Sequence, residues 1–449
     1  MAGGSIAAYL VFSCAPRPPV LSRCKKTIMR STAYFPDLPD VAILGAGAAG
    51  VAAGRALLAQ GASVLILEAR ERAGGRAYTF EGSSDFPLDL GCGWLHSADR
   101  NPLVELAGDS GFTVDKTLPP WQDVRAGEGF VPGEHAAFRD AQGAFYARME
   151  EAARAPDDRP ANELLEPGGR WNAAVDAVST YVNGTELARL SVKDFDAYCD
   201  TEVNYRVTQG YGALIARLAQ PLPIRFGCAA QMVDRSGARL RVVTPQGDLE
   251  ARAVIVALPT NVLASGGVRI SPEPSETLHA AANLPLGVAD KLFLSVEGAH
   301  ELPENGRLFG ATDRVGTGAY HYRPFDRPLI EGYFGGACAR ELESGGMAAF
   351  ADFAIEELCG ALGSRWRARL APVACSAWAR DPFALGSYSH ALPGHWDKRA
   401  VLAAPVENRI FFAGEATHPH FFSTAHGAWM SGERAAAEAL RALAGAHQA

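Results

Sequence analysis

The glycine-rich turn Gly45-Ala46-Gly47-Ala48-Ala49-Gly50 constrains this chain more than any other feature. Asp40–Leu44 before it is a short apolar run that reads as a buried parallel strand. Val51–Ala59 after it reads as a helix that Gly61 stops, and Ser63–Leu67 reads as a second buried strand. Glycine permits the tight turn and lets the backbone approach a pyrophosphate, while the helix start offers unpaired N–H groups and the positive end of its dipole. Glu68 ends the second strand, 18 residues beyond Gly50, where a carboxylate accepts hydrogen bonds from ribose hydroxyls and repels a 2′-phosphate. A glycine turn alone also arises for packing; strand, turn, helix, strand and acid in this order point to a dinucleotide site.

Around that unit there is room for two large domains or about three ordinary ones. Hydrophobic residues at 48% and charged residues at 20% exclude wholesale disorder, collagen-like repeats and coiled coil. A net charge of −8 speaks against a nucleic-acid partner and gives a mild field favouring a cationic ligand. Only six of the 42 basic residues are lysines, so a lysine inside a motif stands out. The eight cysteines include no CxxC pair, which fits scattered reduced thiols and a cytoplasmic location. No window reaches the ~18 apolar residues of a membrane span. Residues 1–35 read as a flexible extension: the apolar run Ile6–Phe12 precedes the basic stretch, the reverse of a signal peptide. Met29 is an alternative start, and a targeting role stays open.

Further along, Asn101-Pro102 opens a helix that Gly111 closes. Phe138, Ala141, Phe145, Met149 and Ala152 share one helical face, and with segments at Trp171–Val182 and Ser191–Cys199 they form a helical insertion. Strands are expected at Leu240–Thr244, Ala253–Leu258 and Arg409–Phe412, an antiparallel sheet within 284–396, and a final helix at Gly427–Leu443.

Leu67-Glu68-Ala69-Arg70-Glu71-Arg72-Ala73-Gly74-Gly75-Arg76 resembles the second glycine motif of the flavin amine oxidase superfamily. Phe411-Phe412-Ala413-Gly414-Glu415-Ala416-Thr417 is similar to its second flavin motif, and Ala253–Pro259 to the returning strand of its FAD domain. The resemblance implies an α/β protein: a Rossmann-like FAD domain of the GR2 type, and a second domain of mixed sheet and helices for substrate. It divides the chain into a discontinuous FAD domain (36–95, 205–283, 397–446) and a substrate domain (96–204, 284–396). The cofactor residues it implies are Gly45, Gly47, Ala48, Ala49, Gly50, Glu68, Ala69, Arg70, Gly74, Gly75, Arg76, Gly93, Trp94, Val233, Trp378, Gly414, Glu415, Thr424 and Ala425. Val233 is the expected backbone partner of adenine, and a helix starting near Thr424–Gly427 would aim its N-terminus at the flavin's pyrimidine carbonyl.

In the same family, the lysine matching Lys291 of Leu284-Pro285-Leu286-Gly287-Val288-Ala289-Asp290-Lys291 holds a water against the reactive flavin nitrogen. Tyr388 of Gly386-Ser387-Tyr388-Ser389 is the expected aromatic wall. Monoamine oxidases carry a flavin-bonding cysteine where Ser387 stands, so FAD is expected to be non-covalent; their second aromatic wall is replaced by Thr424. Gly93-Trp94-Leu95-His96 and Glu415–Ala428 look like the animal-type polyamine oxidases. His96 is therefore expected near substrate nitrogen, Ser423 and Thr424 as hydroxyls toward it, and Asp200 and Glu202 as acids for a polycation. No metal is implied around His418 and His420.

The implied reaction oxidises an amine, such as spermidine, spermine or an acetylated polyamine, to an imine, with oxygen as acceptor, in a monomer or homodimer. Oxidation of an amino acid or aromatic monoamine, use of another electron acceptor, and a flavin-stabilised binding protein without turnover remain as alternatives.

Overall fold

The structure, a computed structural model, describes residues 38–82, 85–122, 130 and 133–445. The expected N-terminal extension, 1–35, lies outside the described residues.

Five parallel strands form the central sheet, in the order Ile410–Phe412, Ala253–Val256, Val41–Leu44, Val64–Leu67, Ile224–Arg225. The segments VAIL, VLIL and AVIV are buried at every residue because both faces are covered. Helices Ala48–Ala59, Tyr211–Ala219 and Ala425–Gly445 pack on one face through Val51, Leu57, Leu214, Ile215, Trp429 and Ala436. A smaller sheet covers the other face, where Val233, Leu240, Val242 and Leu249 meet Leu44, Leu65 and Val254. The Gly45–Gly50 turn, Glu68, the Ala257–Pro259 stretch and Gly414 thus all lie just past the carboxyl ends of parallel strands, where open α/β sheets bind ligands.

A five-stranded antiparallel sheet makes the second half, in the order Gly306–Phe309, Ala319–Tyr322, Leu329–Gly335, Ala289–Val296, Leu370–Cys375. Alternation splits its side chains: Leu292, Leu294, Leu308, Tyr320, Ile330 and Phe334 pack beneath it with Phe350, Ala354 and Leu358. Those three belong to helix Gly336–Leu362, which sequence patterning missed; a kink at Gly346 breaks its periodicity, and the Gly345-Gly346 pair reads locally as a turn. Over the opposite face stands the helical insertion. Helix Glu134–Ala153 buries Phe138, Phe145 and Met149 as expected from their spacing, whereas Ala141 and Ala152 are only half-buried. Asn101 caps helix Pro102–Asp109 by accepting from Leu103 N at 2.9 Å. Among the described residues no helix is long and apolar enough to cross a membrane.

Candidate active site

Main chain builds the dinucleotide end. Gly47 and Gly74 pair as an isolated bridge, and a Cβ on Gly75 would stand 3.3 Å from the Gly47 Cα, so two glycine turns face each other with no side chain between. A Cβ on Gly50 would fall 1.9 Å from the Gly45 carbonyl oxygen. The buried Glu68 carboxylate accepts from Ala46 N at 2.7 Å and Arg70 N at 2.9 Å, one bond per oxygen, which leaves acceptor capacity for hydroxyls. Glu415 ties the distant segments together by accepting from Arg76 at 2.9 Å, Ser389 Oγ at 2.6 Å and Ser423 N at 2.9 Å. Burial raises its pKa, and Arg76 with these hydrogen bonds more than offsets that, holding it below the usual carboxylate value. A shallow cleft is lined by Arg76, Leu258, Pro259, Gly414 and Glu415. The facing glycines, the open lone pairs of Glu68 and this cleft fit a dinucleotide.

Several expected cofactor residues have specific surroundings. Ala48 and Ala49 begin helix Ala48–Ala59. Arg70 pairs with Asp381 at 2.6 Å, and Ala69 is half-buried on the turn after Glu68. Val233 is fully buried in the covering sheet. Trp378 donates from Nε1 to Leu90 O at 3.0 Å, and its own N–H goes to Asp290 Oδ1. Helix Ala425–Gly445 starts where expected, capped by the Thr424 hydroxyl, which accepts from Gly427 N at 3.0 Å.

Lys291 reaches from the antiparallel sheet into this region. Its Nζ donates to Asp89 O at 3.0 Å and stands 2.8 Å from Glu331 Oε1, and a Cβ on Gly93 would meet it at 2.9 Å. An ammonium has three N–H groups, so two are directed by these oxygens and the third is left for a water or ligand. Glu331 is wholly buried and also meets Arg206 at 3.0 Å. Burial raises its pKa, but Arg206 and Lys291 outweigh burial and keep the carboxyl well below its ordinary range. His321 lies 3.9 Å from the same carboxylate and donates from Nε2 to Asn305 Oδ1 at 2.7 Å. Burial and the Arg206 charge push it down to about 3, so it is neutral. Trp94 stacks near His321 with centroids 6.2 Å apart, and Arg206 lies over the Trp94 ring at 4.9 Å.

His96 Nδ1 is 2.6 Å from the Oδ1 of Asn204. An amide oxygen only accepts, so Nδ1 carries the proton and Nε2 is a free acceptor in the neutral ring. Burial lowers the His96 pKa, partly offset by Asn204. The Tyr388 hydroxyl donates to Tyr181 O, which fixes its ring, and burial raises its pKa.

Expected substrate contacts fare differently. Ser423 Oγ donates to Ser389 O at 2.6 Å, and the Thr424 hydroxyl donates to Phe421 O at 2.6 Å. Both hydroxyls are thus satisfied within the protein. Asp200 and Glu202 are exposed on a surface turn, with Asp200 Oδ1 accepting from Glu202 N and Glu202 at φ 60°. They do not line a buried tunnel, because the chain reverses at the surface between helix Val192–Ala197 and Tyr205. Sequence reasoning did not find Asp89, Asn204, Arg206, His321 or Glu331. The detectable signal was Glu331 itself, an acid inside the apolar strand Leu329–Gly335.

Comparisons with known proteins agree with this geometry. The family model for flavin containing amine oxidoreductase matches residues 48–177 and 135–440. Polyamine oxidase 2 of Arabidopsis thaliana is 28% identical over 438 residues, spanning 89% of this chain and 87% of that protein. Lysine-specific histone demethylase 1 homolog 2 of the same plant is also 28% identical, across 91% of this chain but only 60% of its own length. Among solved structures, putrescine oxidase bound to putrescine superposes with a TM-score of 0.74 at 19% identity, covering 90% of this chain and 99% of that one. Cyclohexylamine oxidase from Brevibacterium oxydans IH-35A gives a TM-score of 0.71 at 19% identity, covering 90% and 99%. The chain belongs to the flavin-containing amine oxidoreductase family.

Proposed function

We propose that this protein is an FAD-dependent oxidase of a small amine. One observation carries the reading: the buried ammonium of Lys291 crosses from the antiparallel sheet to Asp89 O and Gly93, 202 residues away in the case of Asp89, with one N–H left over. Gly45–Gly50, Glu68, Gly74, Gly75, Arg76 and Glu415 would hold FAD, and Ser387, whose hydroxyl bonds reciprocally with Ala289 N and O at 2.8 Å, offers no thiol for a covalent link. Bound FAD supplies the two-electron acceptor and returns those electrons to oxygen.

The amine loses two electrons and two protons across its C–N bond and becomes an imine; oxygen takes them up as hydrogen peroxide. Water then splits the imine into a carbonyl compound and ammonia or a smaller amine. Lys291 orients a water with its third N–H. His96 accepts from the reacting nitrogen at Nε2, which requires a neutral imidazole, the form that burial favours. Tyr388 and Trp94 confine the amine, and Tyr388 is clamped by Tyr181 O. Relatives include a polyamine oxidase, which supports a polyamine substrate. The charges near the site favour a shorter amine, because Asp200 and Glu202 face solvent and Glu331 is held by Lys291 and Arg206.

Anaerobic mixing tests the proposal. A reacting amine bleaches the yellow protein; failure of every amine in a broad panel removes the reading. Lys291→Met is expected to slow flavin turnover by about 100-fold, within the range for loss of a group handling a proton or orienting water, with FAD still bound. Unchanged kinetics would remove the role given to Lys291.

A further inference from the structure

Register places one row of side chains across the antiparallel sheet. Arg307 pairs with His321, His321 with Glu331, and Glu331 with Phe293; alongside, Phe309 pairs with Ala319, Ala319 with Tyr333, and Tyr333 with Lys291. Directly paired residues share a face, so Arg307 lies on the Lys291 face, at its far edge. The strands are about 4.8 Å apart, which puts the two Cα atoms roughly 15 Å from each other.

The charges along this row are unevenly satisfied. Lys291 and Arg206 share the single carboxylate of Glu331, and His321 is uncharged. Arg307 has no carboxylate within ion-pair distance among the described residues; its guanidinium lies 3.9 Å from the Phe309 ring centroid, beside Tyr181 and Tyr146. Burial lowers its pKa, yet the side chain keeps part of its surface open. Its guanidinium is thus packed among aromatic rings while part of the side chain stays open to a ligand. Tyr146, stacked on Phe195 at 5.6 Å, shows the same combination. The Tyr181 hydroxyl is buried beside the Arg307 guanidinium, placed to accept from it, and its own proton meets no acceptor within the protein. A guanidinium with no carboxylate partner, beside a phenol whose proton is undirected, offers convergent donors to an anionic group.

We infer that the amine oxidised here carries a carboxylate at its far end, which Arg307 and the Tyr181 hydroxyl receive while the nitrogen lies by Lys291 and His96. The planar fork of a guanidinium matches a carboxylate in two parallel hydrogen bonds, and a phenol adds a third donor. Separation along the sheet selects an ω-amino carboxylate, with several carbons between its ends, over an α-amino acid. A diamine of equal length would put its second ammonium against Arg307.

This inference rests on the amine-oxidase reading, and one experiment separates the two. The holoenzyme is assayed anaerobically with γ-aminobutyrate, δ-aminovalerate and ε-aminocaproate, against the matching alkylamines and against putrescine and cadaverine. Amino carboxylates are expected to bleach the flavin at the lowest concentrations. Arg307→Gln is expected to raise their KM by about 10- to 100-fold, the range for loss of a charge-assisted pair, with little change in kcat. Arg307→Lys should restore part of the affinity, and Tyr181→Phe should give a smaller loss. Valerate and caproate, which have no nitrogen to oxidise, should raise the Tm of the wild type and of the lysine variant but not of the glutamine variant. Diamines or alkylamines preferred over amino carboxylates, or an unchanged KM ratio in Arg307→Gln, overturn the inference and leave amine oxidation standing. Bleaching by no amine at all defeats the underlying reading instead.

Discussion

At the Gly45–Gly50 turn the contacts are made by main chain, and at Lys291 they are made by side chains. In the turn, neighbouring backbones approach too closely for even a methyl group, as the 1.9 Å Cβ–oxygen distance at Gly50 shows. At the second site, Lys291, Glu331 and His321 come from three strands of the antiparallel sheet and Arg206 from a separate short ribbon, and they meet through side-chain charge and polarity. The first arrangement has no latitude. The second can be retuned by exchanging a side chain, which suits an end that must recognise one amine among many.

The difference sets an order of expected damage. Gly50→Ala should be the most severe, because its methyl meets a backbone oxygen that cannot yield without moving the turn. It is expected among the exceptional losses above about 4 kcal/mol, read as absence of soluble yellow protein. Gly61→Ala is the control: φ is +78° but a Cβ there meets nothing within 4 Å, so a loss of about 1 kcal/mol is expected. Equal damage from both would mean that conformation, and not close approach, governs this turn.

Glu331→Gln comes next. It leaves the ammonium of Lys291 and the guanidinium of Arg206 buried without their shared counter-charge, and breaking such a pair costs about 3–5 kcal/mol. Calorimetry should show a lower Tm while the folded protein keeps its flavin, since nothing in the cradle has changed. Flavin lost in proportion to stability would show that the two ends are not separable in the way the contacts suggest.

Legibility in the sequence follows the same division. The turn, Glu68 and the Gly74-Gly75 pair were readable because each motif completes itself within a few residues, and the parallel strands because full burial leaves an unbroken apolar run. Glu331 was not, since its partners are assigned by strand register: Lys291 from the neighbouring strand and Arg206 from a short ribbon paired with Val114–Asp115. Arg307 is one arginine among many until register sets it on the Lys291 face. Asp200 and Glu202 show the converse failure. Resemblance to related enzymes brought them to notice, but a left-handed residue at Glu202 turns that segment to solvent. Helix Gly336–Leu362 was hidden by its own glycine pair, which interrupts the periodicity that would have shown it.

Acid should separate the ends with the smallest effect. Burial holds His321, His390 and His426 down to about 3 and His418 down to about 4, each helped by a neighbouring positive or imidazole group. An unfolded chain binds protons on these rings below about pH 6.5, and the native protein does not. Their contribution is therefore complete above pH ~6.5 and is lost as pH falls toward the folded values. Glu331 and Glu415 act in a lower window, below about pH 4.3, where the unfolded carboxyls protonate first. Asp290, pushed up by burial beside Glu343, has the opposite sign: its contribution shrinks as pH rises above about 3.8. Between pH ~6.5 and ~4.5 the histidines make stability rise with pH, and the raised carboxyls of Asp290 and Asp89 oppose them. His321→Gln, which keeps a donor for Asn305, should reduce that slope by at most one proton, about 1.4 kcal/mol per pH unit. Denaturant titrations at several pH values measure it. A slope unchanged by His321→Gln would mean that this imidazole is already charged in the native state, and the row from Lys291 to Arg307 would then carry one more positive charge than its geometry implies.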